Sequence, residues 1–135
     1  MNEKQSVGMG DAIHRMVATS PVLAALHKSM KAEWAPDDPP NTLLFSAFGR
    51  ALCCDIERLT PNQLKASWET VEDLSVNGSS EVRNAVATGL IEAVLSESSS
   101  GRFDVASVIR LLGPATRAYC KAWDDFTGCK TEGLQ

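Results

Sequence analysis

Three observations predict an all-helical single domain of six to seven helices. Apolar residues recur at helical spacing over long runs that lack the alternation of a strand. Only 9 glycines and 6 prolines punctuate the 135 residues, and Pro21, Pro61 and Pro114 follow Ser20, Thr60 and Gly113 in the cap-then-proline order that starts a helix. The stretch Glu81 to Leu95, EVRNAVATGLIEAVL, carries Val82, Val86, Leu90, Ala93 and Val94 on one face and Ala87, Ile91 and Leu95 nearly opposite. A helix apolar on so much of its circumference is buried from several sides, so residues 81–95 are expected to form the central helix. Gly89 in its middle costs roughly 1 kcal/mol against alanine, which predicts a close helix crossing there.

In chain order, residues 1–8 are expected to be a flexible N-terminus, 9–128 the helical domain and 129–135 a flexible tail. Ala12, Ile13, Met16 and Val17 make a first short stripe. Ser20-Pro21 starts a second, through Val22, Leu23, Leu26 and Met30 towards Trp34. The segment Ala35 to Asn41, APDDPPN, contains three prolines and cannot be regular structure. Its length and stiffness suit either a surface that meets a partner or a plain connector.

A third helix, capped by Asn41 or Thr42, is expected to run to about Leu59, with Leu44, Ala47, Phe48, Ala51, Leu52, Ile56 and Leu59 on its apolar face. Asp55 falls on that face and needs a partner if buried, and Arg83 is the candidate for a structural ion pair. A fourth helix, capped at Thr60-Pro61 and stopped at Asn77-Gly78, turns Leu64, Ser67, Trp68, Val71 and Leu74 inward. Ser79-Ser80 can cap the central helix, and Ser96 to Gly101 reads as a flexible polar loop. Asp104 caps a short helix through Val108 and Leu112. Gly113-Pro114 starts the last one, with a stripe of Ala115, Ala118, Tyr119, Ala122 and Phe126, and Gly128 ends it.

The composition excludes more than it identifies. The content of 44% hydrophobic and 22% charged residues is that of an ordinary globular chain, long enough for a real core. A net charge of −4 argues against nucleic acid as a partner and fits a basic protein. No apolar run reaches the roughly 18 residues of a membrane span, and the N-terminal sequence lacks the apolar core of a secretion signal. A cytoplasmic protein with reduced thiols is therefore expected. Cys53, Cys54, Cys120 and Cys129, with His14 and His27, show no zinc spacing, so no metal or cofactor is expected. Hydrolase, metalloprotease and nucleotide-binding signatures are absent, and an enzyme is not expected.

Carboxylates do gather, however. Asp37 and Asp38 lie in the proline-rich loop, Glu69, Glu72 and Asp73 late in the fourth helix, and Asp124 and Asp125 late in the last. Acidic groups near a helix C-terminus cost a few tenths to about 1 kcal/mol each. These seven are the candidate partner-binding residues, the alternative being a merely solvated face. Reversing the charge of Glu69, Glu72 and Asp73 is expected to weaken partner binding and leave stability unchanged or improved.

The segment SSEVRNAVATGLIEAVL resembles the second helix of a HEAT-type repeat, with Thr60 to Asn77 as its partner helix, although no second copy follows at a period of about 40 residues. The wider pattern from Pro36 to Thr127 includes the PP-containing loop, LLFSAFGRAL, VEDLSVNGSSEVRNAVATGLIEAVL and LLGP. It is similar to small all-helical immunity proteins encoded beside bacterial polymorphic and contact-dependent toxins. That resemblance implies a non-enzymatic cytoplasmic protein that binds one cognate toxin domain and occludes its active or substrate surface. A helical adaptor is the alternative. The oligomeric state and the toxin's chemistry are not written in the sequence.

Overall fold

The computed structural model describes residues 6–128. Among them there is no strand, only an isolated parallel bridge between Val7 and Gly78. The helices are α1 (Met9–Val17), α2 (Pro21–Trp34), α3 (Asn41–Cys54), α4 (Pro61–Asn77), α5 (Ser80–Asn84), α6 (Glu92–Ser99) and α7 (Pro114–Thr127). A π-helical stretch, Ala85–Ile91, joins α5 to α6, so residues 80–99 form one unbroken helical run. Three short 3-10 turns, Ile56–Arg58, Val105–Ser107 and Ile109–Leu111, fill the connections.

The caps form where the sequence puts them. The Ser20 side chain accepts from the Leu23 amide at 3.2 Å, with Pro21 in the first turn. Thr60 and Gln63 exchange bonds of 3.1 and 3.0 Å in a complete capping box. Ser79 caps α5 through the Val82 amide, and Gly128 closes α7 in the left-handed region at φ 75°.

The core is continuous. Ala12, Met16, Leu23, Phe45, Phe48, Leu52, Trp68, Val71, Leu74, Val82, Val86 and Leu90 are all at most 1% exposed. The 80–99 run supplies its centre as expected, but its main partner is α3 rather than α4. A Cβ on Gly89 would lie 2.7 Å from the Thr42 carbonyl oxygen, and one on Gly49 would lie 2.5 Å from that of Leu90. Each glycine thus admits the other helix's backbone, and the predicted crossing at Gly89 is observed. The two helices run in the same sense: Asn41 donates to Glu81 at 2.8 Å, Ser46 to the Gly89 carbonyl at 3.2 Å, and Cys53 lies within the field of Glu97. α4 is the return stroke that makes this parallel pairing possible.

Several expectations are corrected. α3 ends at Cys54, and Asn41 belongs to its first turn, where its side chain serves Glu81 instead of capping. The run from Glu81 continues through Ser99, so SESSSG is mostly helix; Glu97 within it is 7% exposed and bonds Arg102 Nε at 2.6 Å. α7 is rotated from its expected stripe. It buries Thr116 and Cys120 and half-buries Tyr119 and Trp123, whereas Phe126 is 88% exposed. Of the expected flexible N-terminus, residues 1–5 lie outside the described residues. Val7 is held: its amide donates to the Asn77 carbonyl and its carbonyl accepts from the Ser79 amide, both at 2.8 Å. The expected tail, 129–135, with Cys129, also lies outside the described residues. No helix among those described is long and apolar enough to cross a membrane.

Candidate functional site

The proline-rich loop is where this fold offers an exposed, shaped surface. α2 stops at Trp34, whose carbonyl accepts from the Asp37 amide at 3.0 Å to turn the chain. The Ala35-Pro36 bond is cis, Pro39 is buried, and the Pro40 carbonyl accepts from the Leu44 amide at 2.9 Å to launch α3. The loop is pinned at both ends and through Pro39, so Asp37 and Asp38 are presented on a stiff support, fully on the exposed side. Trp34 and Leu43, at the two ends of the loop, are 38% and 40% exposed. An indole left this open at a helix end presents a large apolar face with one polar edge, the kind of side chain enriched at interfaces.

Beneath the loop a cleft of about 340 Å³ has an apolar floor of Ile13, Pro39 and Leu44, with His27, Lys31 and Asp38 at its rim. Burial, reinforced by the positive charge of Lys31 and opposed by Asp38, holds the His27 imidazole below its ordinary range. It is therefore largely neutral near pH 7. No Ser, Thr or Cys is among the cleft's lining residues for that histidine to activate. The arrangement can bind an apolar group and hold a charge beside it.

The other acidic residues have different fates. Glu72 is half-buried and caps α7 from across the core. Its carboxylate accepts from the Ala115 amide, the Thr116 amide and the Thr116 hydroxyl, each at 2.9 Å. Pro114 has no amide and Arg117's amide bonds the Gly113 carbonyl, so Glu72 satisfies the two amides of the first turn, Ala115 and Thr116, that have no partner within the helix. Asp73 pairs with Arg15 of α1 at 2.7 Å and accepts from Asn77 at 2.7 Å. Against the expectation that reversing Glu69, Glu72 and Asp73 would spare stability, Glu72 holds the start of α7 to α4, whereas the Arg15–Asp73 pair, about half exposed on both sides, adds little. Glu69 is exposed beside Arg15 and Asp73 in a shallow hollow. Asp124 is half-buried and Asp125 exposed in the last turn of α7. They lie about 13 Å along that helix from the end that Glu72 caps, at 1.5 Å per residue, so the three acid groups do not make one patch.

The Asp55–Arg83 ion pair is not formed. Asp55 is half-buried at the C-cap of α3, and Arg83 is exposed in the first turns of the 80–99 run. Because the two helices are parallel, those positions sit at opposite ends of their contact, some 20 Å apart along α3. The ion pairs among the described residues are Arg15–Asp73 and Arg102–Glu97.

Among the described residues no group of three or more His, Cys, Asp or Glu could hold a metal. Cys53 and Cys120 are buried, and burial pushes each thiol up to about 12; Cys54 is exposed. The exposure of Trp34 was hidden in the sequence by its place at the end of the α2 stripe, whereas Leu43 lies outside the expected face of α3 and its exposure agrees with that spacing.

A family model described as a domain of unknown function, DUF7674, matches residues 13–128. The chain belongs to this family. The matched span runs from within α1 to the end of α7, so the loop, the Glu72 cap and all of the cleft lining except Met9 and Gly10 fall inside the family domain. No curated protein and no solved structure matches the chain.

Proposed function

We propose that the chain is an immunity protein, which binds a cognate toxin domain and neutralises it by covering a functional surface. The observation that carries this reading is the pinned loop: Trp34 and Leu43 exposed at its ends, with Asp37 and Asp38 between them. Protein interfaces concentrate their energy in a few aromatic anchors ringed by polar groups, and a loop that is already stiff loses little entropy on docking. Acidic residues beside the anchors favour a basic partner and speed its approach. The resemblance of the segment from Pro36 to Thr127 to immunity proteins supports the same reading but carries over no binding residue; the preference for Asp37 and Asp38 among the seven acidic candidates rests on their position between Trp34 and Leu43.

The test is co-expression with the toxin domain encoded next to the gene. Growth rescue and a co-purifying complex are expected. Trp34→Ala combined with Asp37→Lys and Asp38→Lys should abolish both while leaving the melting temperature within a few degrees. A toxic neighbour that is neither bound nor rescued would defeat the reading.

A helical adaptor is the second reading, favoured by one observation. Ala118, Ala122 and Phe126 stand at four-residue intervals on the exposed side of α7, and Phe126 has no cover among the described residues. Retained binding in the loop variant with loss in Phe126→Ser would favour it.

A further inference from the structure

A second hollow, of about 290 Å³, lies between α3 and the 80–99 run, where the π-wound stretch passes into α6. The Glu92 amide there reaches back five residues to the Ala87 carbonyl, and such widened turns recur at ligand sites. The groove is polar, and its hydrogen-bonding capacity can be counted. Ser46 spends its hydroxyl proton on the Gly89 carbonyl at 3.2 Å, and Thr88 spends its own on Asn84 at 2.7 Å. Glu92 accepts from the Tyr119 hydroxyl of α7. Glu97, only 7% exposed, takes Arg102 Nε at 2.6 Å and so fixes the direction of that guanidinium, most of which stays in solvent.

What remains is a surplus of donors. The Nη groups of Arg102 and the whole of Arg50 lack a hydrogen bond or ion pair among the described residues, and both line the groove. Two guanidinium groups facing one hollow, one of them aimed by a buried carboxylate, make the arrangement that recognises a phosphate. Glu92 adds a selection. It keeps lone pairs that Tyr119 does not use, and its charge repels a bare dianion but accepts from a hydroxyl. We propose that this groove binds a small hydroxyl-bearing phosphomonoester, with the phosphate between Arg50 and Arg102 and a ligand hydroxyl donating to Glu92. The site is separate from the loop and stands whether or not a toxin is the partner.

The experiment is a titration of the full chain, followed by amide NMR at constant ionic strength, with glycerol 3-phosphate, inorganic phosphate and glycerol. Saturable shifts confined to residues 46–50, 88–97 and 102 are expected with glycerol 3-phosphate. Inorganic phosphate should bind more weakly, and glycerol should give none. Because Arg50 is exposed and makes no hydrogen bond or ion pair among the described residues, Arg50→Gln should keep the melting temperature and lower affinity by at least about tenfold, the size of a lost charge-assisted pair. Shifts spread over all basic surfaces, absence of saturation, or an unchanged affinity in Arg50→Gln would overturn the site. Inorganic phosphate binding as tightly as the ester would overturn the role of Glu92.

Discussion

Replacing Glu72 by alanine removes an acceptor on which one helix start depends. The three bonds it accepts, at 2.9 Å each, serve the Ala115 and Thr116 amides, which have no partner within the helix, and the Thr116 hydroxyl. Loss of a side-chain cap costs about 0.5–2 kcal/mol, and loss of a charge at a helix N-terminus up to about 1 more. The Thr116 hydroxyl, in a residue 1% exposed, is also left without this acceptor, adding roughly 1 kcal/mol. A total of about 2–4 kcal/mol is expected, which for a chain of this size lowers the melting temperature by about 8–16 °C. Gly113 makes the argument sharper. A Cβ there would lie 2.3 Å from the Glu72 Cγ and Cδ, yet Gly113 has an ordinary φ of −78° that alanine tolerates. Gly113→Ala should therefore destabilise the parent by displacing the carboxylate, and should cost little once Glu72 is alanine. Urea and thermal unfolding of the four proteins in a double-mutant cycle measure the coupling. Glu72→Ala within about 0.5 kcal/mol of the parent, or strictly additive effects, would refute the cap.

Other outcomes follow from the same geometry. Gly89→Ala should destabilise by about 1–3 kcal/mol despite its better helix propensity, because its Cβ meets the Thr42 carbonyl at 2.7 Å, and chemical denaturation reads this directly. In a Cys129→Ser background, only Cys54 should react quickly with a thiol reagent at pH 8, since Cys53 and Cys120 are buried with thiols near 12; rapid labelling of two or three would contradict the packing. His27 has a folded pKa below its usual 6.5, so the unfolded chain takes up the proton first as pH falls. Its contribution is whole above 6.5 and is lost as pH drops through that value towards the folded pKa, so His27→Gln should flatten the stability profile there and leave it unchanged at pH 8. Arg15→Ala, by contrast, should cost well under 1 kcal/mol and show its small effect only at low salt, both partners being about half exposed.

Local signals were legible in the sequence wherever the physics is local. Ser20, Thr60, Ser79 and Asp104 cap the segments that follow them because a side chain two or three residues away from an amide needs no tertiary information to find it. Gly89 announced a close approach because glycine has no other reason to sit in a helix with so many apolar neighbours. The partner in that approach was another matter. Periodicity gives a face, not what covers it, and the adjacent α4 was the natural guess, whereas the parallel α3 holds the place. The same blindness set the stripe of α7 off by part of a turn: Tyr119 of the expected stripe is half-buried, but Ala118, Ala122 and Phe126 are exposed, and Thr116 and Cys120 are buried in their place. The Asp55–Arg83 pairing failed for the related reason that an ion pair depends on helix direction, which no spacing along one chain reveals.

The acidic residues show where such reading stops and packing begins. Seven carboxylates at loop and helix ends looked equivalent as a composition. In the fold, Glu72 and Asp73 are occupied by α7 and α1, and Asp124 is half-buried against its own helix. A carboxylate that already satisfies a helix terminus or an arginine has little left to give a partner, and taking it away would cost stability first. The charge free for recognition is thus carried by Asp37, Asp38, Glu69 and Asp125; Asp37 and Asp38 stand between two exposed apolar residues, Trp34 and Leu43, and Asp125 beside one, Phe126. In the proposed complex a basic protein would be steered by the overall negative charge and would make its desolvated contact at the loop. Salt should therefore slow association of a complex docked there, while Trp34 governs how long it lasts. A complex whose dissociation rate is the same with Trp34→Ala would have to be docked elsewhere on the fold.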